Sequence, residues 1–231
     1  MARSFDLVDG KLYEADFFLE KLVATDDRNL IEARYYFSAF VAAARSVTFA
    51  LQAVMSSIEG FDDWYRTKQE VLKGDKTAKF FHKTRTESQH IGLNPLNGDI
   101  RSFIESRGSS KQYFFSVNGI EPIPNAPDGD AIVSCREYLV SLVELIFECY
   151  EQFGSVIDPD KYYTFQNLER LGLSIEDVEE SLGFPRGWTY VSEGYDEERI
   201  KALRRSVPGT QINWLFDKYL NRNRFSNDSM S

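Results

Sequence analysis

Residues 29 to 60 constrain the fold more than any other stretch of the chain. Asn29-Leu-Ile-Glu32 has the form of a capping box, and a helical pattern then runs unbroken to Gly60, roughly eight turns. The middle of this helix is apolar nearly all round, and Ala39, Ala42, Ala43, Ala44 and Ala50 let other helices approach closely. A helix with no polar face belongs inside, so the chain is expected to build a helical bundle around it. Arg34 and Arg45 interrupt the apolar surface. A charge there needs a partner or a wet edge. Each is expected to snorkel or pair with an acid, or, for Arg45 with Ser46, to stand beside a functional site.

The flanking pattern supplies the other helices. Leu12, Ala15, Leu19 and Leu22 mark a first amphipathic helix that ends at Thr-Asp-Asp. Asp62 or Asp63 starts a third, running through Trp64, Val71 and Leu72 to Gly74; Asp75 caps a fourth that Gly92 ends. Short connections between these segments imply antiparallel neighbours. After Gly92, Asn94-Pro-Leu-Asn-Gly98 marks a turn, and 99–105 and 112–117 are strand-like around Ser106-Arg-Gly-Ser-Ser110. This predicts a β-hairpin inserted at about 98–119. Asp130 then restarts a long helix through Ile132, Cys135, Leu139, Leu142, Ile146, Cys149 and Phe153.

The expected fold is mainly α: an up-down antiparallel helical bundle over 10–158, with the inserted β-hairpin and a C-terminal helical appendage over 159–231. In the appendage, Ser174-Ile-Glu-Asp177 caps one short helix, Asp196 starts another, and a last amphipathic helix runs through Ile212, Leu215 and Leu220. A helix-turn-helix is disfavoured because the candidate recognition helix carries Glu176, Asp177, Glu179 and Glu180, which phosphates repel. Sequence-specific DNA is therefore not an expected partner.

The net charge of −9 disfavours indiscriminate nucleic-acid binding, but the charge is unevenly spread. Residues 131–183 hold eleven acids against three bases, and 195–224 hold seven bases against four acids. A local anion site remains compatible with the overall balance. Cys135 and Cys149 fall on one helix about 21 Å apart, which makes them core thiols rather than a disulfide. No metal-ligand spacing and no phosphate-cradling glycine loop is present, so no metal or cofactor is expected. The N-terminal residues lack a secretion-signal pattern and no apolar run approaches bilayer length, so the expected location is the cytoplasm, without membrane contact.

Both histidines fall in the fourth helix, 75–92. His82, Arg85 and Gln89 lie near one face; Thr86 and His90 form a neighbouring pair, roughly 140° round the axis from Arg85 to His90. Arg85-Thr-Glu-Ser-Gln-His90, set behind the small-residue helix Tyr35–Phe49, resembles the HEPN family (higher eukaryotes and prokaryotes nucleotide-binding). That motif is an Arg followed after four to six residues by His on a late helix of an α-bundle. The resemblance covers roughly residues 10 to 155.

The resemblance implies a metal-independent endoribonuclease of the toxin or defence type, with Arg85 and His90 of two chains meeting across a symmetric homodimer. It implies RNA as substrate and a nucleotidyltransferase-type antitoxin as partner. The residue types suit 2′-hydroxyl attack on the adjacent phosphate. Imidazole can move protons near neutral pH and guanidinium binds phosphate bidentately. Thr86, His82, Gln89, Arg45 and Ser46 are the candidate supporting residues. Thr86 departs from the pattern, since the family commonly has Asn, Asp or His after the motif Arg. Two further readings stand beside this one: a non-catalytic helical module that dimerises and binds a protein or nucleotide, and a small-molecule pocket between the central and motif helices.

Overall fold

The computed structural model describes residues 2–26, 29–98, 113–117 and 119–225, with backbone alone for 88–91. Among them are ten helices, 66% of the structure, and one small three-stranded antiparallel sheet, which fits the expected mainly α class. The chain divides into two compact units, Val8–Leu145 and Met1–Leu7 with Ile146–Ser231.

The first unit holds α1 (Asp6–Ala24), α2 (Leu30–Met55), α3 (Phe61–Gly74), α4 (Lys76–Ile91) and the start of α5 (Ala131–Ile157). At the head of α2 the Asn29 side chain accepts from the Glu32 amide at 3.1 Å and donates to the Glu32 carboxylate at 2.7 Å. Asn29 therefore caps the helix, but the expected capping box is not completed, because the Asn29 backbone N–H donates to the Asp26 carbonyl at 2.8 Å rather than to Glu32. Helix α2 ends at Met55 rather than Gly60, because the chain turns through Ser56 to Gly60, whose φ of 78° only glycine takes without strain. Phe37, Phe40, Val41, Ala44, Val47 and Leu51 are buried along α2. Phe37 lies 6.3 Å from Phe81 of α4, and Phe81 stacks at 4.7 Å on Tyr138 of α5.

One expectation about α2 is corrected. It is long and apolar enough to cross a membrane by length and composition, contrary to the expectation that no run approaches that length. Apolar positions of the same helix, Phe37 and Phe40, pack it against Phe81 of α4, and 56% of its most apolar window is buried.

Arg34 is also corrected. Among the described residues it meets no acid: its guanidinium donates to the Leu96 carbonyl at 2.8 Å and to the Asn97 side-chain oxygen at 2.6 Å. Leu96 belongs to a strand, β1 (Leu96–Gly98), where a turn was expected. Residues 94–98 are extended because Arg34 and Asn94, which donates to the Arg34 carbonyl at 2.8 Å, fasten them to α2. Strand β1 pairs antiparallel with β2 (Tyr113–Val117), Leu96 opposite Phe115, and β2 pairs with β3 (Glu121–Pro122). The buried Asn97 amide donates to Pro95 O, Ser116 O and Ser116 Oγ, satisfying a polar group that the fold has taken out of water. The expected first strand, 99–105, lies outside the described residues.

The second unit contains the end of α5, then α6 (Pro159–Tyr162), α7 (Phe165–Arg170), α8 (Ile175–Ser181), α9 (Asp196–Arg205) and α10 (Asn213–Leu220). Tyr162, Leu168, Ile175, Val178, Ile200 and Leu203 form one apolar cluster; Phe5, Phe147, Tyr150 and Phe216 form ring contacts elsewhere. Arg224, buried, pairs with the buried Asp158 and with Asp160, which Arg204 also holds. Cys135 and Cys149 are both buried and form no disulfide, as core thiols should.

Candidate binding cleft

A cleft of about 310 Å³ opens between four helices of the first unit. Arg45, Thr48 and Gln52 line it from α2, at the i, i+3, i+7 spacing that puts them on one face. Tyr65, Gln69, Leu72 and Lys73 come from α3, Ala78, Lys79 and His82 from α4, and Tyr138 and Leu142 from α5. None of these residues is an acid. Three are permanent cations: Arg45, Lys73 and Lys79.

Arg45 is the fixed point of the cleft. Its guanidinium donates to Thr48 Oγ at 2.8 Å and lies 4.5 Å over the Phe49 ring, while Thr48 Oγ donates back to the Arg45 carbonyl at 3.1 Å. No carboxylate pairs with Arg45 among the described residues. Lys73 by contrast is held by Glu70 at 2.8 Å. Of the two expected fates of Arg45, snorkelling or an acid partner, the second is not met among the described residues, where its contacts are a hydroxyl and a ring.

The Arg45 charge is felt around the cleft. Burial raises the Tyr65 hydroxyl, while hydrogen bonding to Gln69, the charge of Arg45 and hydrogen bonding to Thr48 and Gln52 oppose the rise. Burial pushes Tyr138 up to about 12, with Arg45 again pulling against it. His82, exposed at the mouth, is held below the ordinary imidazole range by desolvation first and by the charges of Arg45 and Arg85 next. It is therefore neutral at pH 7, placed near two guanidinium groups.

The expected site residues separate into those the cleft includes and those it does not. Arg45 and His82 line it; Arg85, half-buried, does not, although its charge reaches His82. The Thr86 hydroxyl donates to the His82 carbonyl at 3.2 Å, and Ser46 Oγ donates to the Ala42 carbonyl at 2.8 Å. Both hydroxyls are thus engaged along their own helices. The side chains of Gln89 and His90 lie outside the described residues. Thr48, Gln52, Tyr65, Gln69 and Tyr138 escaped the sequence reading. The Arg45/Thr48/Gln52 spacing on an otherwise apolar helix was the available signal for the first two. No group of three or more His, Cys, Asp or Glu side chains is gathered for a metal ion among the described residues.

No family model matches the chain, and no curated protein or solved structure matches it either. The HEPN resemblance thus rests on the Arg85–His90 spacing and the character of α2.

Proposed function

We propose that the cleft binds a phosphate-bearing small molecule of nucleotide size, in a helical module whose first unit is arranged as a HEPN-like up-down antiparallel bundle. The observation that carries this reading is Arg45, a cation with no carboxylate partner among the described residues, lining a cavity without acids. Its volume falls in the range of small-ligand pockets, and the walls supply both components that such ligands need. Arg45 and Lys79 neutralise the phosphate, Gln52, Gln69 and the tyrosine hydroxyls fix its orientation, and Leu72 and Leu142 take up apolar surface.

Calorimetric titration of the full chain with adenosine monophosphate tests it. Binding is expected, weakened about tenfold or more by Arg45→Ala, as for loss of a charge-assisted contact. Absence of binding, or equal affinity in Arg45→Ala, rejects the reading.

A second reading, metal-independent RNA cleavage, is favoured by the lowered His82 pKa beside Arg45 and Arg85. A neutral imidazole accepts the ribose 2′-proton as the O2′–P bond forms and the P–O5′ bond breaks. A protonated histidine, His90 or one from a two-fold mate, then protonates the leaving oxygen. Cleavage of single-stranded RNA to cyclic phosphate and 5′-hydroxyl ends, abolished by His90→Ala or His82→Ala, is the expected outcome. Cleavage unchanged in both variants rejects it. A homodimer and a nucleotidyltransferase-type partner belong to this reading.

A further inference from the structure

In the second unit, the loop between α8 and α9 is built more firmly than its position requires. Glu179, fully buried, accepts hydrogen bonds from the amides of Gly187 and Thr189, from the Thr189 hydroxyl, and from Arg199. Burial alone would raise its carboxyl; the bonds from Thr189, Gly187 and Arg199 outweigh that and hold it below the ordinary range. Arg199, itself 6% exposed, also reaches Glu176 at 2.6 Å and Asp196 at 3.3 Å. Outside, Arg186 bridges Asp177 and Glu180 at 2.8 and 3.1 Å. A charge held this far from water fixes the backbone of 187–189 in one conformation.

That fixed loop shows apolar groups to solvent. Trp188 is 64% exposed, Tyr190 57%, Val191 75% and Tyr195 50%. Trp188 is braced by Phe184, stacked with rings 6.2 Å apart, and Tyr190 lies 5.6 Å under the Arg199 guanidinium. Rigid, exposed aromatic side chains lose little entropy on contact and are the residues that dominate interfaces. Residues 187–198 carry Glu193, Asp196, Glu197 and Glu198 and no base, while of the adjoining bases Arg186 is paired with Asp177 and Glu180 and Arg199 is buried. Asp196 and Glu197 have internal partners in Arg199 and Lys201, while Glu193 and Glu198 carry no ion pair among the described residues.

We infer that this loop is a docking surface for a protein partner whose contact segment presents an apolar anchor flanked by lysine or arginine. The aromatic side chains receive the anchor, and the acidic rim selects the flanks. Nucleic acid and anionic membranes are repelled by the same rim.

The test is selection from a random twelve-residue peptide-display library on the full chain, with counter-selection on the Trp188→Ala chain. Enriched sequences are expected to carry an apolar residue between basic ones. The best of them, as a synthetic peptide, is expected to bind about tenfold or more weakly to Trp188→Ala and to Glu193→Lys, both with unchanged thermal unfolding. Tyr195→Ser replaces Trp188→Ala if that variant does not fold. No enrichment over the counter-selection, acid-flanked winners, or equal peptide affinity in the variants overturns the proposal. Loop-dependent binding to vesicles of phosphatidylserine and phosphatidylcholine, or self-association lost in Trp188→Ala, also overturns it by assigning the surface elsewhere.

Discussion

His82 is the side chain whose behaviour most directly reports on the cleft. Its folded pKa lies below the ordinary 6.5, so the unfolded chain takes up a proton first as pH falls. Stability from this group is accordingly present above about pH 6.5 and declines as pH drops through the interval down to the folded value. Ligand binding runs the other way, because protonated His82 adds a charge that favours an anion. The affinity advantage of the unaltered chain over His82→Gln for adenosine monophosphate is expected to grow as pH falls below about 6.5; calorimetry on both chains from about pH 7.5 to pH 5 checks it. Asn97 makes a different point at the same scale. Its buried amide serves Pro95 and Ser116 while its oxygen accepts from Arg34, so Asn97→Ala leaves several groups unsatisfied. A loss of about 1–3 kcal/mol in urea denaturation is expected.

Helix ends were largely legible because they depend on neighbours in the chain. Asp75 accepts from the Ala78 amide at 3.0 Å and Gly92 closes α4 with φ of 68°, as the residue types require. Asp75→Ala is expected to destabilise the protein by about 1 kcal/mol in thermal or urea unfolding. The Ser174/Asp177 box at α8 forms as its spacing demands. Strand β1 was missed for the opposite reason. Leu96–Gly98 has turn-like residues, and its extended form comes from Arg34, sixty-two residues away in sequence from its Leu96 partner. Glu179 likewise read only as one of four acids on a short helix that disfavour phosphate contact, whereas the loop folds over it and supplies its donors.

For the whole molecule, the charge balance makes a prediction independent of any site. With a net charge of −9 at pH 7 and an isoelectric point near 4.9, mutual repulsion vanishes on acidification. Turbidity is expected to reach its maximum close to pH 4.9, and to move upward in pH if exposed acids such as Glu193 and Glu198 are replaced by lysine. The sequence by itself determined the helical class, the capped starts of α2, α4 and α8, and the burial of α2, since periodicity and capping act over a few residues. Only the tertiary structure decided that Arg45 meets a hydroxyl and a ring instead of an acid, that His82 rather than Arg85 lines the cleft, and that Glu179 turns inward. Each of those outcomes depends on which distant side chains arrive beside a charge, and the cost of burying that charge is set by those neighbours, not by its place in the chain.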